Sequence, residues 1–362
     1  MGLAHRLGYR ALRPLLFSLD AERAHDWVMS TLERAGGGVL GSAIALERID
    51  NPIEIAGIVF PNRVGLAAGL DKEARCLPAL ASMGFGFIEV GSVAPRGEVW
   101  SEPPRIHRFP QAQALINRIG LHRAGVEALC EALARHSWPL DPRASVPVRL
   151  GINLACNGST PAADALHDYA TGLRATVRWA DYFTINISNP NASNRHVPLA
   201  RPELDDWLAA VDQIRIELGG ETGRTPPVFL KISPDLEAST WSSLCDALCA
   251  QRDKISGNPL RWGLIVSNTS VGREAVQGLP HAELRGGLSG APLRGRVNQL
   301  VSEMRAHLGK EFPIIGVGGI MSGADARERI EAGADLVQLY TGLIYRGPDL
   351  VREVATALRP SP

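Results

Sequence analysis

The dominant pattern along the chain, from Val64 onward, is a regular alternation of short apolar runs with longer segments of helical periodicity. The apolar runs have strand length and occur at 64–70, 87–93, 148–154, 182–188, 228–233, 263–269, 314–320 and 336–342. Helical patterns lie between them, at 73–83, 121–136, 162–180, 203–218, 237–252, 294–308 and 323–332. Continuous apolar strands separated by helices predict a parallel sheet covered on both faces.

Eight such units over roughly 280 residues match the size of a closed (β/α)8 barrel, the TIM barrel. The chief competitor is an open doubly wound α/β sheet, but no GxGxxG motif opens a first βα unit. We therefore expect an α/β protein whose barrel occupies residues 39–362.

The N-terminal segment, residues 1–38, is predicted to be a small amphipathic helical domain. In residues 3–19, leucines alternate with Arg6, Arg10 and Arg13, and Asp20 is a candidate N-cap for a second helix ending at Gly36-Gly37-Gly38. Such helices can lie on a membrane surface or simply pack on the main domain. The Pro- and Gly-punctuated passage at about 36–62 is interpreted as a link.

Composition excludes several classes of protein. The chain has 38 Lys and Arg residues and 38 Asp and Glu residues, so it has no net charge that would attract nucleic acid. Five cysteines, an odd number, argue for a reducing compartment and against a disulfide framework, and for Cys245 and Cys249 core packing is favoured over metal binding. No apolar run approaches 18 residues, and arginines interrupt the first segment, so we expect neither a spanning helix nor a signal peptide. No metal is predicted.

Polar residues recur where the predicted strands end, which is where barrels carry their chemistry. Tyr182–Arg195 is the richest such stretch, because a buried strand breaks into a loop with Asn186, Asn189 and Asn191. These carboxamides suit a flat polar heterocycle, although an Asn-rich turn is the plainer alternative. The other strand ends supply Ala68, Gly69, Lys72, Ser92, Asn153, Lys231, Asn268, Thr269, Gly318, Gly319, Tyr340 and Thr341.

Two strand ends indicate the type of ligand. The last two strands end in GVGG and YTG, a place where barrels commonly bind phosphate through backbone N–H groups. Lys231, at the end of the fifth strand, would be a costly buried charge unless it faced an anion, such as the N1–C2=O edge of a reduced flavin. The alternative is a lysine that snorkels out of the rim.

The motifs of this chain together resemble the dihydroorotate dehydrogenases, specifically the membrane-associated, quinone-using class 2, over essentially the full length. They are LFSLDAERAH (16–25), GLAAGLDKEA (65–74), MGFGFIEVGSV (83–93), PRIHRF (104–109), ALINRIG (114–120), GINL (151–154), INISNPN (185–191), LKISPDL (230–236), SNTS (267–270), GGLSGAPL (286–293), PIIGVGGI (313–320) and LVQLYTGLIYRGP (336–348).

The resemblance implies an FMN-dependent oxidoreductase, a flavoprotein of pyrimidine biosynthesis that oxidises dihydroorotate to orotate. It assigns FMN to Ala68, Gly69, Lys72, Ser92, Asn153, Asn186, Lys231, Ser267, Gly290, Gly318, Gly319, Tyr340 and Thr341. It assigns the substrate to Lys72, Asn117, Arg118, Ile119, Gly120, Leu121, Asn186, Asn191, Asn268 and Thr269. A quinone would reach the flavin near His25, Arg108 and Tyr340, and the protein would be cytoplasmic, attached peripherally to the inner face of the cell membrane.

The chain departs from the family pattern around the substrate. In this enzyme type a hydride leaves C6 of dihydroorotate for flavin N5, while a serine in the loop after strand 4 removes a proton from C5. Asn189 stands at that position, and a neutral carboxamide has no useful basicity. Ala192 replaces a threonine, Leu121 and His107 replace phenylalanines, and ACNG (155–158) replaces a GKNK pattern.

Three hypotheses follow for the activity. The proton of dihydroorotate could leave through Ser188, Ser193 or a water; the chain could be a flavin-dependent paralogue that oxidises or reduces another carboxylated substrate; or it could be a catalytically silent binder. Cys156 is a candidate for altered chemistry, with a buried filler as its alternative. A non-enzymatic FMN-binding or membrane-scaffold protein is the competing class.

Overall fold

The computed structural model describes residues 2–36, 45–98, 102–120, 124–137, 139–140, 145–188, 197–253 and 262–360. Its centre is a closed ring of eight parallel strands, in the order β10-β12-β13-β3-β4-β7-β8-β9. The barrel strands are β3 (Val64–Leu66), β4 (Phe87–Val93), β7 (Arg149–Leu154), β8 (Tyr182–Asn186), β9 (Val228–Ile232), β10 (Trp262–Val266), β12 (Ile314–Val317) and β13 (Leu336–Leu339). Each of the eight predicted strands is present, so the (β/α)8 barrel is confirmed and the open sheet is wrong.

Helices surround the ring, and most fall in the predicted segments. They are α1 (Gly2–Ser18), α2 (Ala21–Ala35), α3 (Leu77–Ala81), α4 (Gly125–Ala134), α5 (Ala165–Thr176), α6 (Glu203–Thr222), α7 (Ala238–Asp253), α8 (Arg294–Leu308), α9 (Gly323–Glu331), α10 (Thr341–Arg346) and α11 (Asp349–Ala357). The Asp20 carboxylate accepts hydrogen bonds from the amides of Glu22 and Arg23, so the predicted N-cap is confirmed.

Large aromatic rings and glycines on neighbouring strands fill the lower end of the barrel. Phe87 and Tyr182 stack edge to face at 6.3 Å between ring centroids, and a Cβ on Gly65 or Gly151 would overlap their rings. Phe229 stands against Gly263 in the same way. A large and a small residue on adjacent strands fill this layer at the density that barrel interiors require.

Two additions to the barrel were not expected. The hairpin of β1 (Ile53–Ile55) and β2 (Ile58–Phe60) lies in the passage interpreted as a link, and Phe60 contacts the Phe87 ring at 5.2 Å between centroids. The link interpretation is therefore wrong for this part, since the hairpin covers the base of the barrel. A second, three-stranded antiparallel sheet is formed by β5 (Ile106–Phe109), β6 (Ala114–Asn117) and β11 (Gly287–Gly290).

The N-terminal helices pack on the barrel through one face and leave apolar side chains on another. Met29 and Leu32 are buried in the main core cluster. Leu15, Leu19 and Trp27 are 59%, 41% and 50% exposed. None of the described helices is long and apolar enough to cross a membrane. The predicted domain boundary at residue 38 lies outside the described residues and stays a prediction.

We expect Gly151→Ala to lower the free energy of unfolding by about 1–3 kcal/mol, because the added methyl group overlaps the buried Tyr182 ring. Gly220→Ala is the matched control: it adds the same group in helix α6, where no atom lies within 4 Å, and should stabilise by about 0.5–1 kcal/mol. Denaturant titration of both variants measures the difference. Equal stabilities would show that the aromatic layer is not tightly packed.

Candidate functional site

A cavity opens at the carboxyl ends of the barrel strands. It is lined by Ala67, Ala68, Gly69, Lys72, Ser92, Asn117, Ile119, Gly120, Asn186, Lys231, Ser267, Asn268, Thr269, Ser289, Gly290, Leu293, Val317, Gly318, Gly319, Ile320, Gln338, Tyr340, Thr341 and Gly342. Most of the residues assigned to a cofactor or a substrate therefore share one chamber. These residues are up to about 270 positions apart in the sequence. The closed ring brings them together, because all its parallel strands have their carboxyl ends on one side.

A buried carboxylate organises the floor of this chamber. Glu89 is 0% exposed and accepts hydrogen bonds from Asn153 Nδ2 at 2.7 Å, Tyr182 OH at 3.0 Å and Gln338 Nε2 at 2.7 Å. Ser92 Oγ donates to Asn153 Oδ1 at 2.5 Å and accepts from Asn186 Nδ2 at 3.1 Å. A continuous chain of hydrogen bonds thus runs from Glu89 to the cavity wall, and it fixes the side chains that form the wall.

Lys231 is the cation nearest to this carboxylate. Burial lowers the pKa of Lys231, while the negative charge of Glu89 raises it. The side chain is 6% exposed and lines the cavity, and it makes no hydrogen bond within the described part of the chain. The snorkelling alternative is therefore wrong, and the ammonium group is available to an acceptor on a ligand.

One wall is built from amides and hydroxyls that hold each other. Asn268 Nδ2 donates to Asn186 Oδ1 at 3.3 Å and to Ser188 Oγ at 3.1 Å, and Ser188 Oγ donates to Asn186 Oδ1 at 3.2 Å. Asn268 Oδ1 accepts from the Thr269 amide at 2.8 Å. Ser188 Oγ thereby orients Asn186 and Asn268, and within the residues that the structure describes it has no hydrogen bond to a carboxylate or an imidazole that would activate it as a base.

The opposite wall carries the second lysine. Lys72 donates to the Gly120 carbonyl at 2.5 Å, which joins the loop after β3 to the predicted substrate segment. Asp71, beside it, accepts from the amides of Arg75 and Cys76 at 3.0 and 2.8 Å, and burial raises the pKa of its carboxyl to about 6. Asp71 thereby fixes the turn that carries Lys72. Asn117 donates to the Gly287 carbonyl at 3.4 Å.

The Gly-rich end of β12 brings two glycines to the cavity wall. Gly318 and Gly319 have φ values of +117° and +77°, a conformation that favours glycine, and a Cβ on Gly319 would overlap the Arg294 backbone. Arg329 is fully buried beneath this loop and donates to the Gly318 carbonyl at 2.8 Å. Helix α10 begins at Thr341 next to the loop, so its first N–H groups have no acceptor within the helix.

The residues assigned to a quinone are only partly brought together. Tyr340 lines the cavity and packs in an apolar cluster with Phe17, Leu115 and Tyr345 that reaches helix α1. Arg108 donates to the Leu16 carbonyl at 2.8 Å, and its guanidinium lies 4.8 Å from the centre of the Phe17 ring. His25 is half-buried on α2, where burial lowers the pKa of its imidazole, Asp26 raises it, and the positive charges of Lys72 and Arg75 lower it.

Several predicted residues are not on the wall. Asn153 lies behind Ser92, and the exposed Arg118 does not line the cavity. The Cys156 thiol donates to Asp168 at 3.2 Å, and burial raises its pKa to about 12, so the filler interpretation is favoured over altered chemistry. Asn189, Asn191, Ser193 and Leu121 lie outside the described residues.

Sequence reasoning missed the residues that support the wall. Glu89 and Gln338 sit inside apolar strands, and a charged or amide side chain in the middle of such a strand is the signal that could have found them. Ser289 was missed because β11 lies in an insertion; it accepts a hydrogen bond from Thr341 Oγ1 at 2.8 Å.

Residues 52–360 match the family model described as dihydroorotate dehydrogenase. The chain is 45% identical to the dihydroorotate dehydrogenase (quinone) of Polaromonas naphthalenivorans, over 98% of this chain and 99% of the relative. It is 47% identical to the protein of the same name from Verminephrobacter eiseniae, over 98% and 95% of the two chains.

A solved structure shares the whole architecture. The DHODH of Eimeria tenella in complex with ferulenol superposes with a TM-score of 0.82 at 33% identity, covering 93% of this chain and 90% of that chain. The family match, the near-full-length relatives and the barrel with its cavity agree, and the chain belongs to the dihydroorotate dehydrogenase family.

Proposed function

We propose that this protein oxidises dihydroorotate to orotate with FMN as its cofactor and passes the electrons to a quinone, a step of pyrimidine biosynthesis. The observation that carries the proposal is the convergence, in one cavity, of the unbonded Lys231 ammonium, the Asn186–Asn268 amide wall and the Gly318–Gly319 loop. These groups match the ring, the carbonyl edge and the phosphate of a flavin mononucleotide.

The side chains present fit this cofactor. Lys231 would donate to the carbonyl edge of the ring, where negative charge develops on reduction, and the loop at Gly318–Gly319 would hold the phosphate through backbone N–H groups. Gln338 Oε1 is buried without a hydrogen-bond partner among the described residues, and a ligand N–H would satisfy it. When bound, FMN supplies the capacity to accept two electrons from a C–H bond and deliver them to a quinone.

The substrate contacts follow from charge and hydrogen-bonding type. Lys72 would hold the carboxylate of dihydroorotate, and Asn117, Asn186 and Asn268 would match the alternating C=O and N–H groups of its ring. Leu121, Asn191 and Thr269 complete the proposed contacts. The removal of the C5 proton needs a base, and Asn189 at the family's base position cannot accept a proton at neutral pH.

The N-terminal helices support peripheral attachment to the inner face of the cell membrane. Exposed Leu15, Leu19 and Trp27 suit an interfacial position, and the cluster of Phe17, Leu115, Tyr345 and Tyr340 leads from α1 to the cavity. A lipid-soluble quinone would approach along this apolar path. Arg108 borders the path, and His25 would contribute from the α2 side.

A second candidate function is favoured by Asn189. In this alternative, the chain is a paralogue that binds flavin in the same way and transfers hydride to or from a different carboxylated compound. The residue at position 189, where the family has a serine base, then transfers no proton. The intact Lys72, Asn117, Asn186 and Asn268 set favours an orotate-like ring, whereas Asn189 favours altered turnover.

The decisive test mixes the purified flavin-bound protein anaerobically with excess dihydroorotate and follows bleaching of the oxidised flavin by stopped flow. An Asn189→Ser variant is measured beside it. We expect the native protein to bleach slowly and the serine variant about 10²–10⁴-fold faster, since a general base contributes about that factor.

Fast bleaching of the native protein would mean that another group serves as the base, with Ser193 or a water as the next candidates. If neither protein bleaches, the dihydroorotate proposal is wrong and the paralogue remains. Retention of the flavin through purification separates this outcome from loss of the cofactor.

Lys231 gives a pH-dependent prediction. Burial lowers its pKa in the free protein, and an acceptor on the cofactor would favour the charged form, so FMN affinity should fall as pH rises through that lowered pKa. Lys231→Met should bind FMN about 10- to 100-fold more weakly at pH 7 and lose this dependence. Quenching of flavin fluorescence, followed from pH 7 up to the ordinary lysine pKa of 10.5, measures both; equal slopes for the two proteins would count against the assignment.

A further inference from the structure

A second cavity, of about 710 Å³, lies outside the barrel between helix α1, the start of α9, the end of α10 and helix α11. It shares no lining residue with the cavity at the strand ends. Four arginines line it, Arg10, Arg327, Arg346 and Arg352, and we call it the arginine groove. It is not used in the proposed reaction.

The groove carries an excess of positive charge. Its two acidic residues are Asp349 and Glu353. Glu353 is already engaged, because Oε1 accepts from the Gly323 amide and Oε2 from Arg346, both at 2.9 Å. Asp349 lies in the first turn of α11, where the helix N-terminus stabilises a carboxylate. Two guanidinium charges therefore remain without an acidic counterpart in the groove.

The other three arginines of the groove have N–H groups that are not hydrogen-bonded within the described part of the chain. Arg10 is exposed and makes no hydrogen bond or ion pair within the described part of the chain. Arg327 uses only Nε, which donates to the Ala357 carbonyl at 3.1 Å. Arg352 has one ion pair, at 4.0 Å, with Glu47, whose side chain is 81% exposed. Guanidinium forks grouped in this way match the oxygens of a phosphate or of a carboxylate.

The position and size of the groove indicate whether its ligand would be a free phosphate ion or a phosphate group of a larger molecule. Arg10 lies on α1, the helix that also carries exposed Leu15, and exposed Leu19 directly follows the last residue of this helix. The helix is fixed to the barrel beside the groove, since Tyr9 OH donates to the Ile344 carbonyl and Arg13 donates to the Tyr345 carbonyl at 3.0 Å. The groove is also far larger than one phosphate ion requires. A phosphodiester that carries a larger polar group and lies level with an interfacial helix fits the place of Arg10 on α1, the attachment of α1 beside the groove and the size of the groove.

We propose that the arginine groove binds the headgroup of an anionic phospholipid when α1 lies on the bilayer. The inference rests on the peripheral membrane contact proposed above. It adds a specific electrostatic contact to an apolar one, and the membrane affinity of a surface helix increases with both contributions.

The test is flotation of the flavin-bound, full-length protein with vesicles of phosphatidylcholine alone, or with about one third phosphatidylglycerol. Arg10→Gln/Arg327→Gln removes two groove charges. Arg23→Gln/Arg34→Gln is the matched control, because it removes the same charge from exposed positions on α2 outside the groove. We expect the groove variant to bind the anionic vesicles on the order of tenfold more weakly, with the control close to the native protein.

Equal losses in the two variants would overturn the proposal, since they would indicate only diffuse attraction to the membrane. A free-phosphate site is checked with inorganic phosphate and soluble glycerophosphoglycerol by calorimetry. Binding of inorganic phosphate that the groove variant abolishes, with vesicle binding unchanged, would overturn the lipid assignment. Flavin bleaching by dihydroorotate is followed in the same samples. If the flavin does not bleach but flotation still depends on the groove arginines, the proposed reaction is wrong and the lipid proposal stands.

Discussion

The site depends on a carboxylate kept inside the barrel. A buried Glu89 without partners would cost several kcal/mol, so the fold supplies three hydrogen-bond donors from β7, β8 and β13 and a cation, Lys231, from β9. Hydrogen bonds therefore join β4 to β7, β8 and β13 in addition to apolar packing, and Lys231 on β9 adds an electrostatic attraction. Because Asn153 is hydrogen-bonded to Ser92, and Ser92 to Asn186, the side chains of the cavity wall are oriented before any ligand binds.

The amide wall is fixed by contacts among its own side chains. Asn186, Ser188 and Asn268 are joined by three side-chain hydrogen bonds. A ring with alternating C=O and N–H groups would therefore meet amides whose orientation is already set. The departure from the family pattern at Asn189 concerns the proposed proton transfer, because a neutral carboxamide cannot serve as a base.

The barrel was predictable because eight apolar runs of strand length leave few other arrangements, and the strand ends then placed Lys72, Asn186, Lys231 and Asn268 on one rim. The sheet of β5, β6 and β11 was not, since its strands have four residues each and lie inside connecting loops, where periodicity is too short to recognise. The role of Glu89 depends on partners up to 249 residues away, which residue type alone cannot reveal. The hydrogen bond of Asn153 to Ser92 likewise depends on a neighbouring strand, so residue type alone does not predict that Ser92 lies between Asn153 and the cavity.

The small sheet also links regions that are distant along the chain. β11 pairs with β6 through Gly287 and Asn117, and Ser270, beside Thr269, bridges to Leu288 on β11. The segments proposed to hold the two sides of the substrate are thus both bonded to one strand. A displacement of residues 105–117 would be transmitted through the backbone hydrogen bonds of β11 to Ser270 and the neighbouring Thr269, so the two sides of the site behave as one mechanical unit.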